Sequence, residues 1–199
     1  MSVAAIVLAA GGSTRMGRPK QLIQMDGEPL LRRTARMVLE VGCDPVVVVL
    51  GVDADKIEPC LSGLPVLKLI NRDCWQGLST SIRAGLDGVP PRSSGILILV
   101  CDQPGITPEL LQLMLGGHHS HPRRIIACAY ENTLGVPCLF PRSRFKALRG
   151  LEGDQGAKAL IRAQTCVVVP FPEGEVDLDT PKDLKAWRLR HPALKHLGP

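Results

Sequence analysis

Residues Leu8 to Leu22 read L-A-A-G-G-S-T-R-M-G-R-P-K-Q-L and follow directly on an apolar run that begins at Val3. Gly11 and Gly12 carry no Cβ, so the backbone there can approach a ligand closely and turn its N–H groups toward an anion. Arg15, Arg18 and Lys20 then place three cations within six residues. Free amides followed by cations, just beyond the end of a strand, are what a polyphosphate needs if water is to leave its oxygens. The passage reads as a nucleoside triphosphate loop. It is not a P-loop, because Gly12 is followed five residues later by Gly17 and then by Arg18-Pro19-Lys20, without the hydroxyl after the lysine. Nor is it a dinucleotide fingerprint, since Pro19, Asp26-Gly27 and Pro29 keep the chain irregular until about Leu30.

Apolar runs and helical periodicities alternate along the rest of the chain. Strands are expected over Val3 to Leu8, Pro45 to Leu50, Pro65 to Ile70, Ser94 to Val100, Arg124 to Tyr130 and Thr165 to Pro170. Helices are expected from Pro29 to Val41, from Ala54 to about Leu61, from Leu78 to Leu86, from Pro108 to about Leu115 with Gly116-Gly117 as its stop, from Arg142 to Leu148, up to Ala163 after Gly153-Asp154, and from Thr180 onward. Ser79, Thr80 and Ser81 either cap their helix or face a ligand. His118, His119 and His121, flanked by Gly117, Ser120 and Pro122, read as a solvated loop in preference to a metal cluster. The tail from His191 to Pro199 reads as frayed.

Composition narrows the class. Hydrophobic residues make up 45% of the 199 and aromatics only 3%, an aliphatic balance suited to buried parallel strands under helices. The expectation is an α/β, three-layer α-β-α Rossmann-like fold with a mostly parallel central sheet, as one domain over residues 1–199 with an excursion at 118–165. The formal charge of +5 arises from 24 basic against 19 acidic residues without a long basic run, which favours an anionic small molecule over nucleic acid. Seven cysteines without a C-x-x-C read as reduced core thiols of a cytoplasmic protein. The apolar N-terminus lacks the basic segment of a secretion signal, and no run is long enough for a transmembrane helix, so no membrane association is expected.

Asp102 follows the fourth strand directly. Strand ends of a parallel sheet open on one crevice, so a carboxylate there is a metal candidate. Asp179, at the end of another extended segment, is the second, and Mg²⁺ needs only one or two carboxylates beside phosphate oxygens.

L-A-A-G-x-S-x-R-M-G-x-P-K resembles the signature of the nucleotidyltransferases that attach a nucleotide to molybdopterin, and its A-A-G and P-K forms are most similar to those that use CTP. The likeness covers residues 3 to 187. Asn71 with Gly77-Leu78-Ser79-Thr80-Ser81 is similar to the family's nucleobase loop. Gly135-Val136-Pro137 is similar to its G-x-P-x-L-F element, with Val136 where the family usually has Asn. Gly153-Asp154 opens a G-D-x-G-A element, in which Asp154 is either a helix cap or a substrate contact. Asp179 opens D-T-P-x-D-L. The resemblance implies a nucleotidyltransferase fold and transfer of CMP from CTP to molybdopterin with release of pyrophosphate. It implies Leu8, Ala9, Ala10, Gly11, Gly12, Arg15, Lys20, Asn71, Gly77, Ser79 and Asp102 for nucleotide binding, with Arg15 and Lys20 catalytic. It implies Gly135, Pro137 and Asp154 for the acceptor, Mg²⁺ on Asp102 and Asp179, and a downstream molybdoenzyme or its chaperone as receiver. The alternatives are GTP-dependent guanylyl transfer to molybdopterin, nucleotidyl transfer to a sugar phosphate, and a noncatalytic cofactor-binding or chaperone-like protein.

Overall fold

A computed structural model describes residues 2–192, so the expectation for the tail falls largely outside the described residues. Strand β1 (Val3–Ala9) leads into the glycine loop, which ends in a 3₁₀ turn at Lys20–Leu22. A two-stranded hairpin, β2 (Gln24–Met25) and β3 (Glu28–Pro29), then precedes α1 (Leu30–Glu40), so the stretch expected to be irregular is closed around Asp26-Gly27. The chain continues through β4 (Val46–Leu50), α2 (Ala54–Ile57), β5 (Leu67–Ile70), α3 (Leu78–Asp87), β6 (Gly95–Val100) and α4 (Pro108–Ser120). It ends with β7 (Ile126–Tyr130), β8 (Thr133–Pro141), α5 (Phe145–Arg149), α6 (Lys158–Arg162), β9 (Val167–Pro170) and α7 (Pro181–Arg190).

Seven strands form one sheet in the order β5-β4-β1-β6-β8-β7-β9, every neighbouring pair parallel except the two that β8 makes with β6 and β7. The architecture is the mostly parallel α/β sheet that composition predicts. Residues 118–165 supply β7 and β8 to this sheet.

Side-chain alternation along β1 explains the layers. Ala5, Val7 and Ala9 face a core with Leu31, Ala35 and Val38 of α1 and Leu111 and Met114 of α4, whereas Ala4, Ile6 and Leu8 face a core with Ile82 and Leu86 of α3 and Leu148 of α5. Both faces of β1 are covered, which fixes its register and therefore the point where the glycine loop leaves the sheet. A third cluster, Met16, Ile23, Met25 and Leu30 with Leu178, Leu184 and Trp187, ties that loop to α7.

Helix α4 does not stop at Gly116-Gly117. Two glycines cost about 1 kcal/mol each in a helix, but the continuation to Ser120 buries His118 beside Gly95 and packs Gly117 near Ile126. Tertiary packing overrides the local stop, and His118 and His119 are helical rather than loop residues. Among the described residues no group of three or more His, Cys, Asp or Glu is arranged to hold a metal, and no helix is long and apolar enough to cross a membrane.

All seven cysteines are free, four buried and three partly exposed. Burial pushes the Cys43 and Cys128 thiols up to about 12 and raises Cys101 and Cys138 as well. A thiol reagent applied to native protein at neutral pH should therefore modify Cys60, Cys74 and Cys166 before the other four, which should react only on unfolding. Mass mapping that finds Cys101 or Cys138 among the first sites labelled would contradict this burial.

Candidate active site

The carboxyl ends of β1 and β6 open on a cleft of about 300 Å³ whose lining includes Leu8, Ala9, Ala10, Gly11, Lys20 and Asp102, together with Gly77 and Asp154. Eight of the positions singled out from the sequence thus share one cavity. A Cβ at Gly11 or Gly12 would meet nothing within 4 Å, so the protein's own packing does not require glycine there.

The loop is braced from behind. Gln21, buried in the 3₁₀ turn, donates its Nε2 to the carbonyls of Ala9 (2.8 Å) and Gly11 (3.1 Å), while Ser13 Oγ accepts from the Lys20 N–H at 3.0 Å. Sequence reading passed over both residues. The signal was a hydroxyl just after Gly-Gly and an amide just after the lysine.

At the cleft floor Lys20 Nζ pairs with Asp102 Oδ2 and lies 3.1 Å from Asp179 Oδ1, and Arg15 Nη2 lies 2.7 Å from Asp179 Oδ2. Positions 164 apart in the chain meet here because the Leu178 N–H donates to the Asp102 carbonyl (2.9 Å), pinning the segment before α7 to the end of β6. The capping box of α7, in which Thr180 Oγ1 accepts from the Asp183 N–H and Asp183 Oδ2 accepts from the Thr180 N–H, fixes the helix start just past Asp179.

The side chains of Lys20 and Asp102 are only 15% and 14% exposed. Burial opposes the charge on Lys20, but Asp102 and then Asp179 outweigh it, so the lysine pKa lies above its usual value. Asp177, two residues before Asp179, is pushed up to about 6 by desolvation and then by Asp102 and Asp179. Asp102 Oδ1 is buried and has no hydrogen-bond partner among the described residues. An unpaired carboxylate oxygen at the cleft floor, with Asp179 beside it, fits a hard divalent cation.

Two nucleobase candidates are placed elsewhere. Asn71 is buried, with its Nδ2 donating to Thr80 Oγ1 (2.8 Å) and Ser81 Oγ (3.0 Å) and its Oδ1 accepting from the Asp73 N–H (3.0 Å). Ser79 is fully buried, its N–H bonded to the Gly153 carbonyl. Neither lines the cleft, and Asn71 has its donors and acceptor already engaged. Both hold the 71–81 turn in place, and Ser81 is the hydroxyl of this helix start that reaches the cleft. Helix α3 has Gly77 at its N-cap and no side-chain cap, so these hydroxyls do not cap it. Asn71→Ala should consequently lower stability by about 2–3 kcal/mol, through the lost buried bonds to the Thr80 and Ser81 hydroxyls. Denaturant melts together with the CTP-to-GTP rate ratio check this, since a changed ratio at unchanged stability would restore Asn71 to the base site.

On the acceptor side Asp154 lines the cleft, but Gly135 and Pro137 are buried in β8 and do not. A Cβ on Gly135 would run into the Tyr130 hydroxyl, which is a packing reason for glycine. Asp154 is not a helix cap, as α6 starts at Lys158 with Ala157 as N-cap. Gly77, at φ 116°, is pressed against the backbone of Gly153, closing the 71–81 turn onto the 153–154 turn. Trp75 also lines the cleft and was passed over.

The sequence profile of the MobA-like NTP transferase domain matches residues 5–167. The chain is 37% identical over 201 aligned positions to a probable molybdenum cofactor guanylyltransferase of Synechococcus elongatus, covering 95% of this chain and 100% of that one. It is 31% identical over 175 positions to nicotine blue oxidoreductase of Paenarthrobacter nicotinovorans, covering 83% and 84% of the two chains. Among solved structures, Rv0371c of Mycobacterium tuberculosis in complex with manganese superposes with a TM-score of 0.77 at 27% identity, over 94% of this chain and 97% of that one.

Proposed function

The chain belongs to the MobA-like NTP transferase family, and from that premise we propose that it transfers CMP from CTP to the phosphate of molybdopterin with release of pyrophosphate. The observation that carries the reading is the meeting of Lys20, Arg15, Asp102 and Asp179 beside the glycine loop. Nucleotidyl transfer asks for neutralisation of a triphosphate, alignment of an attacking phosphate with the α-phosphorus, and stabilisation of charge as pyrophosphate leaves.

Lys20 and Arg15 serve the first and last of these tasks by exchanging their carboxylate partners for phosphate oxygens. An acceptor phosphate oxygen forms a bond to the α-phosphorus while the bond from that phosphorus to the β-bridging oxygen breaks. A phosphate monoester with a second pKa of about 6 is mostly dianionic at neutral pH, so this chain needs no base to deprotonate it. Asp102 and Asp179 would hold Mg²⁺, which supplies charge neutralisation at the phosphates. Asp154 lines the same cleft, which supports its assignment to the acceptor. Gly135 and Pro137 would act through the shape of β8 rather than by contact.

CTP is preferred on the A-A-G and P-K forms of the loop motif, carried here by Ala10 and Pro19. A GTP-dependent reading has its own support in the printed name of the Synechococcus relative. Purified protein with magnesium, molybdopterin and either CTP or GTP, followed by pyrophosphate release, separates the two. Release with CTP alone is expected, release with GTP alone transfers the assignment to guanylyl transfer, and saturable nucleotide binding without release under either condition favours the noncatalytic alternative.

A further inference from the structure

We propose that Trp75 is a stacking platform for a planar heteroaromatic ring of a bound substrate, an inference that rests on the nucleotidyltransferase reading and assigns a residue which the motif does not. The two tryptophans of the chain have opposite fates. Trp187 is 2% exposed in the cluster beneath the loop, whereas Trp75 is 79% exposed on the wall of the cleft that holds Lys20 and Asp102. Leu78, also exposed, lines the same cleft beside it.

The indole is presented by a fixed turn. Asn71 Oδ1 accepts from the Asp73 N–H (3.0 Å), the Asp73 carbonyl accepts from the Gln76 N–H (2.9 Å), and Gln76 Nε2 donates to Asp73 Oδ1 (3.0 Å). Gly77 then seats the turn against Gly153. Hydrogen bonds on both sides of Trp75 brace the turn that carries it, and in that turn the indole leaves a large apolar surface in water. That exposure is unfavourable unless a ligand covers it, and an indole face covers planar rings best. The cleft thus combines an aromatic wall with a floor of cations and carboxylates, which matches a ligand with a flat ring joined to phosphates. The base of the nucleotide and the pterin of the acceptor share that chemistry.

Because Trp187 is buried, quenching of the exposed indole by a ligand reports Trp75. Intrinsic fluorescence is followed while CTP, GTP, the pterin acceptor and, as a ring-free control, inorganic tripolyphosphate are titrated into wild type, Trp75→Phe and Trp75→Ala. Saturable quenching by a ring-bearing ligand is expected in wild type, absent with tripolyphosphate and lost in Trp75→Phe. The Kd of that ligand should rise about ten- to a hundredfold in Trp75→Ala and less in Trp75→Phe, with KM moving more than kcat. Quenching by nucleotide alone identifies the ring as the base, and quenching by acceptor alone identifies the pterin. If no ring-bearing ligand quenches Trp75, or Trp75→Ala leaves the affinities for both substrates unchanged, the proposal is overturned. Failure of wild type to release pyrophosphate would instead count against the transferase reading, and the binding titrations would still decide the stacking.

Discussion

Lys20→Ala should lower pyrophosphate release about a hundredfold or more while tightening divalent-cation binding in the absence of nucleotide. The opposite signs follow from one geometry. Lys20 Nζ occupies the space between Asp102 and Asp179, so without nucleotide it neutralises the carboxylates that fit the metal. With nucleotide present the same ammonium is needed on the phosphates, where charge grows as pyrophosphate departs. Removing it frees the acids and strips the transition state.

The sequence alone suggests a surface lysine that packs against little, but the side chain is 15% exposed and its loss leaves two acids facing each other. Some destabilisation is therefore expected, smaller than for a fully enclosed pair because Asp179 remains reachable by water. Added magnesium or manganese should restore much of it, so melting curves are best compared with and without metal. Since the lysine pKa is raised above 10.5, its ion-pair stabilisation is fully present below that pH and is lost only as pH climbs through the raised value. A pH profile near neutrality consequently does not report Lys20. Unchanged turnover in a folded Lys20→Ala protein would remove the residue from the mechanism.

How far the sequence reaches is visible at particular residues. The strand ends carrying Ala10 and Asp102 were legible because both faces of β1 and β6 are buried, so their apolar runs are continuous and stop where the sheet stops. Asp179 was singled out by its place at the end of an extended segment, but its contact with Lys20 was not legible, since the bond from Leu178 to the Asp102 carbonyl that brings them together joins backbone groups that every residue carries. The buried bonds of Asn71 escaped for a related reason. An amide in a polar loop has the same appearance in sequence whether it reads a base or holds Thr80 and Ser81, and only its burial distinguishes the two. The helix through Gly116-Gly117 escaped because local propensity favours a stop, while the compensating burial of His118 depends on a strand more than twenty positions earlier. Trp75 could have been flagged, as a tryptophan in a polar stretch of a chain with few aromatics is an anomaly of composition.

Asp102→Asn should weaken the apparent affinity for magnesium at least tenfold and Asp179→Asn less, with the CTP-to-GTP preference unchanged in both. The ranking comes from the environments of the two acids. Asp102 is 14% exposed, its Oδ2 is paired with Lys20 and its buried Oδ1 has no partner, so a cation reaching Oδ1 meets an oxygen that water does not satisfy. Asp179 is 32% exposed and divides its oxygens between Lys20 and Arg15, so it begins with more competition and more hydration. Asparagine keeps the shape and one carbonyl oxygen at position 102 but removes the charge a hard cation needs. Changing partners outside a metal's own ligands already costs about 10- to 100-fold in affinity, and loss of a ligand charge should cost no less. The amide also leaves Lys20 less tightly held, so nucleotide binding without metal should be preserved or improved in Asp102→Asn, the mirror image of Lys20→Ala. Equilibrium manganese binding, measured alongside magnesium titrations of pyrophosphate release, reads the metal directly and keeps lost turnover from being mistaken for lost affinity. Variants that alter only the CTP-to-GTP ratio, with manganese affinity and magnesium dependence untouched, would mean that these carboxylates read the base and that the cation is held elsewhere.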